Sequence, residues 1–457
     1  MQKEKKSTIQ FLGGASTVTG SKTLVNSGSK KILIDCGLFQ GLKELRQLNW
    51  EELPIDASEI DAVILTHAHL DHCGYLPALV KSGFSGPIYC TPATSELAEV
   101  ILLDSAKIQE EDAERANRKK YSSHLHCKPL YTQIEARKTF DQFKTKDYNE
   151  WVIIDPSIKF QLLNAGHILG SAMVELKVNN KTVIFSGDIG RKDPMLLYPP
   201  KKIEHADFIV LESTYGDRVH EVADVKEKLL EIILETYDNR GILMIPSFAV
   251  ERTQEIIFLL HLLKEEDLLP NIPIYLDSPM GIKSTMVFYK HPEIQDISKY
   301  NADRMYQVVE LIETFEESKA MVADKKPKIV IAGSGMLEGG RILHYLANHG
   351  SDKNNTILFV GFQAAGTRGR DLVKGNKEIR LFGEYVPINA QIRSISSMSA
   401  HADKIEMLDW LGNFKKEPTT IFLNHGEPHQ ANSFRVLIES KLGWNVEIPK
   451  LNELFEF

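Results

Sequence analysis

Positions 66–74 read THAHLDHCG and place His67, His69, Asp71 and His72 directly after the apolar run Ala62-Val63-Ile64-Leu65. Imidazole and carboxylate are the ligand types that zinc takes, and manganese or iron accept a similar set. Alternate residues of a strand face the same way, so a strand through this stretch would present His67 and His69 to one ion. Asp71 and His72, in the turn and helix start that follow, can reach a second ion nearby. One histidine in a loop would be an ordinary surface residue; this many ligand types in one stretch point to a metal.

A two-ion site needs more donors. His167 in NAGHILGSA, Asp188 in KTVIFSGD and His425 in TTIFLNHGE each follow an apolar strand and sit beside a glycine. Asp188 is the candidate bridge, because each oxygen of a carboxylate can bind one ion. Asp35, in ILIDCG, also follows a strand and suits an acceptor that orients a ligand histidine.

The elements around these residues are legible in outline. Residues 8 to 90 read as short strands, with a hairpin turn at Gly28-Ser29. Residues 92 to 146 switch to helical spacing, and strands return at 151 to 186 and 207 to 212. Strands then alternate with helices, which implies βαβ units and a mostly parallel sheet. Short strands resume near 378. The expected organisation is a first part at 1–208, an inserted α/β domain at 209–392 and a closing part at 393–457.

Composition narrows the class. The chain has 457 residues, 43% hydrophobic and 25% charged, with a formal net charge of -8. That is ordinary globular content and argues against a protein that coats nucleic acid. Two divalent ions would still bring positive charge to where a phosphate must sit. The apolar stretches are too short to span a bilayer, and the start, MQKEKKSTIQFLGG, lacks the apolar core of a secretion signal. Cys36, Cys73, Cys90 and Cys127 form no CxxC pair. Reduced thiols in a cytoplasmic protein with no membrane contact are expected.

HAHLDH, with Gly166-His167, Gly187-Asp188 and Asp35, resembles the metallo-β-lactamase fold. Glu212 in LEST, His401 in SAHAD and His425 in NHGE resemble motifs A, B and C of its β-CASP branch, a group of nucleic-acid-processing nucleases. PSFAVERTQE, IYLDSPM, IAGSGM and GFQAAGTRGR are also similar to that branch. The resemblance implies an α/β fold: a four-layer αβ/βα sandwich with an inserted α/β β-CASP domain closing over the metal cleft. It implies two zinc ions, with manganese as a substitute. One would be held by His67, His69, His167 and Asp188, the other by Asp71, His72, Asp188 and His425. His401 is then a catalytic group oriented by Glu212, with Asp71 and Asp35 also serving the chemistry. The loop GGASTVTGS departs from the pattern at Ser16-Thr17, where relatives often have a charged pair.

The implied reaction is hydrolysis of phosphodiester bonds in single-stranded RNA, internally and from a 5′ end, by a monomer or homodimer. Ions about 3.5–4 Å apart lower the pKa of water and stabilise phosphoryl oxygens. His401 would protonate the leaving oxygen. Gly333, Ser334 and Gly335 follow a strand and precede the expected helix EGGRILHYLAN, where amides can hold an anion. Arg368, Arg370, Ser247 and Arg252 are candidate contacts to the RNA backbone. No appended RNA-binding module is expected. Two other readings compete: a hydrolase of small esters or phosphodiesters on the same fold, and a scaffold subunit of a processing complex.

Overall fold

The computed structural model describes residues 7–119, 126–221, 224–361, 363 and 366–457. MQKEKK, residues 120–125 of the expected helical stretch and positions 362, 364 and 365 of GFQAAGTRGR lie outside them. The chain divides into two compact units. One joins residues 1–194, 198–219 and 401–457; the other joins 195–197 and 220–400.

The first unit is built on two seven-stranded sheets. One runs, in order, Leu454–Glu456, Thr8–Gly13, Lys22–Asn26, Lys31–Ile34, Ala62–Ile64, Ile88–Cys90 and Phe143–Thr145. The other runs Val446–Glu447, Thr420–Asn424, Phe208–Glu212, Lys181–Phe185, Ala172–Val178, Ile158–Asn164 and Val152–Asp155. Side chains alternate across a strand, and the sequence uses both faces. Val183, Phe185, Val210 and Phe422 pack with Phe11, Ile32 and Ile64 between the sheets. Ile184, Ile209, Leu211, Ile421 and Leu423 pack outward with Met407, Trp410, Phe434 and Ile438. Two of the helices that cover that outer face are Lys404–Leu411 and Pro428–Leu442. Strands buried on both faces read as near-continuous apolar runs, as these do.

The second unit is a six-stranded sheet in which every neighbouring pair is parallel. Its order is Glu310–Leu311, Ile274–Asp277, Lys328–Ala332, Ile242–Pro246, Thr356–Phe359 and Gln391–Ser394. Helices Arg252–Glu265, Pro279–Lys290 and Ile342–His349 lie where the alternation indicated.

Pairing moves both expected boundaries. Position 209 falls inside Phe208–Glu212, which pairs with Lys181–Phe185 and Thr420–Asn424 in the first unit. Position 392 falls inside Gln391–Ser394, which completes the second unit's sheet. Among the described residues no helix is long and apolar enough to cross a membrane. The four cysteines are unpaired.

Candidate metal centre

Parallel pairing brings strand ends to one edge. Lys31–Ile34 and Ala62–Ile64 run parallel, as do Lys181–Phe185, Phe208–Glu212 and Thr420–Asn424. Asp35, His67, Asp188, Glu212 and His425 stand at or just past the carboxyl ends of these strands, the edge where α/β sheets place ligands.

One expectation fails in detail: His67 and His69 are not in a strand. Pairing stops at Ile64. Thr66 N then turns to Asp35 Oδ1 (2.7 Å), and Thr66 O accepts from Ala172 N (2.8 Å). The chain bends into the short helix Leu70–Cys73, so the two imidazoles meet through the bend and not by strand alternation.

They do meet. His69 Nδ1 lies 3.2 Å from His67 Nε2 and 3.3 Å from His167 Nε2. Asp188 Oδ2 lies 3.4 Å from both Nε2 atoms. Zinc–nitrogen bonds of about 2.0–2.1 Å in a tetrahedron require donor separations of about 3.3 Å. The second group is as close. His72 Nε2 is 3.2 Å from His425 Nε2 and 3.2 Å from Asp188 Oδ1, and His425 Nε2 is 3.5 Å from Asp71 Oδ2. Asp188 thus turns one oxygen to each group. Gly187 precedes it at φ +52°, with Thr66 packed where a Cβ would stand.

Hydrogen bonds behind these candidate ligands set their tautomers. Thr66 Oγ1 donates to Asp35 and so accepts from His67 Nδ1 (3.1 Å), leaving Nε2 for a metal. His72 Nδ1 donates to Asp35 Oδ2 at 2.7 Å. Thr214 Oγ1 lies 3.3 Å from His425 Nδ1 and donates to its carbonyl (3.1 Å). Ser171 Oγ accepts from His167 N (3.0 Å) and holds that turn. Thr66, Thr214 and Ser171 were not singled out in the sequence. Each lies within four positions of a motif residue, and proximity was the only available signal.

The electrostatics fit a metal. Burial drives His67, His69 and His167 downward, His69 to about 4, which keeps them neutral. Burial also opposes charge on His72, but Asp188 and Asp35 outweigh it and raise this imidazole well above its ordinary value. Burial would raise Asp188; His425, His72 and His67 hold it well below the usual carboxylate range. Asp188 Oδ1 is buried and, among the described residues, receives no well-aligned hydrogen bond, with His72 Nε2 and His425 Nδ1 each 3.2 Å away. A cation at this point would satisfy a buried ionised oxygen.

Glu212 and His401 form a third group. His401 Nδ1 is 3.0 Å and 3.1 Å from the two Glu212 oxygens and 3.9 Å from Asp188 Oδ2. Ile189 N donates to Glu212 Oε1 at 2.8 Å, which fixes the carboxylate. Burial opposes charge on His401, but Glu212 and Asp188 raise it to about 9.

The phosphate candidates all lie in the second unit, and several are engaged there. The helix expected from Glu338 starts at Ile342, since Gly339-Gly340 keep the loop open. Within that loop Ser334 N donates to Gly339 O, and the amides of Glu338 and Gly339 donate to Ser334 Oγ. Ile342 N closes on Gly333 O, so the amides of Ser334, Glu338, Gly339 and Ile342 are engaged within the loop. Gly335 O accepts from Gln363 Nε2 (3.0 Å). Arg368 is braced by the carbonyls of Leu337 and Arg380, both at 2.9 Å. Arg252 is buried against Glu255, and Ser247 is buried under Thr253. Arg370, half-buried, makes no side-chain hydrogen bond among the described residues.

Comparison with known proteins agrees with this geometry. Residues 18–233 match the family model of the metallo-beta-lactamase superfamily, 253–372 the Beta-Casp domain and 385–449 the Zn-dependent metallo-hydrolase RNA specificity domain. The chain is 35% identical over 448 residues to Ribonuclease TTHA0252 of Thermus thermophilus, covering 96% of this chain and 98% of that one. It is 31% identical over 446 residues to the transcription termination factor FttA of Methanocaldococcus jannaschii, covering 93% of this chain and 68% of that one. A protein of unknown function from Enterococcus faecalis, 12% identical, shares the fold with a TM-score of 0.55 over 99% of this chain and 100% of that one. The chain belongs to the β-CASP branch of the metallo-β-lactamase superfamily.

Proposed function

We propose that this chain is a two-zinc ribonuclease that hydrolyses phosphodiester bonds of single-stranded RNA, internally and from a 5′ end. The observation that carries the reading is the Glu212–His401 pair beside two groups of donors that share Asp188. His67, His69, His167 and Asp188 would hold one ion; Asp71, His72 and His425, joined by Asp188 through its approach to His72, would hold the other. Bound there, the ions supply an activated water and neutralise charge on the phosphoryl oxygens. The ribonuclease name of the Thermus relative supports RNA as substrate.

The chain's own residues supply proton control. His401 gives its Nδ1 hydrogen to Glu212, so the imidazolium carries its second proton at Nε2. In this reading that proton would go to the leaving oxygen of the RNA. With a pKa raised to about 9, His401 is charged at neutral pH, as a general acid must be; bound dications would lower it toward the working range. By engaging Nδ1, Asp35 would leave His72 Nε2 to hold an ion, and Thr66 would do the same for His67.

The test is cleavage of a 5′-labelled single-stranded RNA, beside DNA of the same sequence, by wild type and His401→Ala of known metal content. RNA cut only by wild type, with both proteins holding two ions, is the expected result. If wild type holds metal and cuts neither polymer, the ribonuclease reading fails and hydrolysis of small esters takes its place.

A further inference from the structure

Lys22 opens the strand Lys22–Asn26 and is only 2% exposed. A buried charge ordinarily has an opposite charge beside it. Among the described residues Lys22 has no carboxylate partner. Its Nζ donates to the carbonyls of Gly37 (2.5 Å) and Gly20 (3.4 Å). It also lies 4.6 Å from the ring centre of Phe39 and 4.8 Å from that of Tyr75. Two carbonyls and two π-faces make up its cage.

That cage stands directly behind the backbone of the Asp71–His72–His425 pocket and reaches the other only through Asp35 and Thr66. Ser21 N donates to Asp71 O (2.8 Å), Cys36 N to His72 O (2.7 Å) and Leu38 N to Leu70 O (2.8 Å). Gly37 N donates to Ser21 O (2.9 Å), and a Cβ on Gly37 would stand 1.6 Å from Asp71 O. Residues 20–22 and 36–38 are therefore the two segments against which the backbone of 70–72 is pinned. Lys22 Nζ joins one segment to the other. The His67 and His167 turns rest on Thr66 and Ser171 instead.

We propose that Lys22 is a positioning residue for the Asp71–His72–His425 pocket: its ammonium ties Gly20 to Gly37 and so sets where Asp71 and His72 stand. Methionine has similar length and bulk and can lie between the same rings, but it donates to neither carbonyl. The variant Lys22→Met therefore isolates the ammonium's role. The inference rests on the two-ion reading and is independent of what substrate is cut.

The experiment titrates metal-stripped wild type and Lys22→Met with Zn2+ by calorimetry, with circular dichroism to check folding. Asp71→Ala identifies which binding step belongs to this pocket. Lys22→Met is expected to weaken that step by about 10–100-fold, the usual cost of losing a group that supports a ligand, and to leave the other step unchanged. Without metal, the amides of Ser21 and Cys36 should exchange hydrogen faster than in wild type. Tyr75→Leu, which loosens the cage but keeps both carbonyl bonds, should shift the same step by less. Wild-type affinities in folded Lys22→Met, or equal loss at both steps, overturn the proposal. Unfolding of both variants assigns Lys22 to general stability and overturns it too. A wild type that binds fewer than two ions sinks the two-ion reading, and this inference with it.

Discussion

The two donor groups share Asp188 but are held by opposite means. The His67–His69–His167 group is three imidazoles that burial keeps neutral, and His167 Nδ1 has no hydrogen-bond partner among the described residues. The Asp71–His72–His425 group is braced by charge: His72 lies between Asp35 and Asp188 and is raised well above its ordinary pKa. The first group meets a metal with lone pairs already free. The second must give up a proton to take one. The first ion should therefore enter more readily, and the second should depend on pH and on the supports behind it.

Asp188→Ala breaks the comparison altogether. It removes the carboxylate that the two groups share, one oxygen to each, and leaves the His72 charge with one carboxylate fewer. Metal analysis should find both ions gone and RNA cleavage at the level of the metal-free chain. His401→Ala should leave both ions in place. Loss of a general acid lowers kcat by about 10²–10⁴-fold, and a rate loss accompanied by metal loss would contradict the separation of roles.

The opposite pKa directions give a further handle in the metal-free protein. For His69 the folded value, about 4, lies below the ordinary 6.5. Its contribution is present above pH 6.5 and lost as pH falls toward 4; His67 and His167 share that sign. His72 and His401 are raised, so their contribution is present below 6.5 and lost as pH rises through the folded value, about 9 for His401. The melting temperature of the stripped protein should therefore peak near pH 6.5 and fall on both sides of it. Zinc should remove the acid-side fall only where it still outcompetes protons for the imidazoles.

The ease of reading the centre from sequence follows from the same chemistry. Histidine and aspartate after apolar strands have few uses in combination, so His67, Asp188 and His425 are legible as one donor set although Asp188 and His425 taken singly are ordinary turn residues, and the parallel pairing that gathers them follows from the apolar runs before each. Arginine and serine have many uses. Arg368, Arg252 and Ser247 looked available for phosphate, yet carbonyls, a helical Glu255 and a neighbouring hydroxyl engage them. The Arg252–Glu255 pair is an i,i+3 helix pair that spacing could have shown; the partners of Arg368 and Ser247 are far apart in sequence or belong to loop geometry, which no spacing rule encodes. The bend at Thr66 was hidden for a related reason. The apolar strand signal ends at Leu65, and the hydrogen bonds that turn the chain come from Asp35 and Ala172. Lys22 was invisible altogether, because nothing in SKTLV marks a lysine as buried.

The smaller effects sharpen the contrast between the groups. Asp35→Asn keeps an acceptor for Thr66 N but removes the negative charge that His72 Nδ1 faces at 2.7 Å. Weakening of the second ion by about 10–100-fold is expected, with the first ion held as before. Thr214→Val removes one neutral hydroxyl, 3.3 Å from His425 Nδ1. A neutral hydrogen bond contributes about 0.5–1.5 kcal/mol, so this loss should stay near tenfold or below, again at the second ion alone. Competition with a chelator of graded strength reads both. If Thr214→Val costs more than Asp35→Asn, ring orientation rather than charge governs the second pocket. If both variants release the first ion as easily as the second, the two groups are one coupled site and the division between them does not hold.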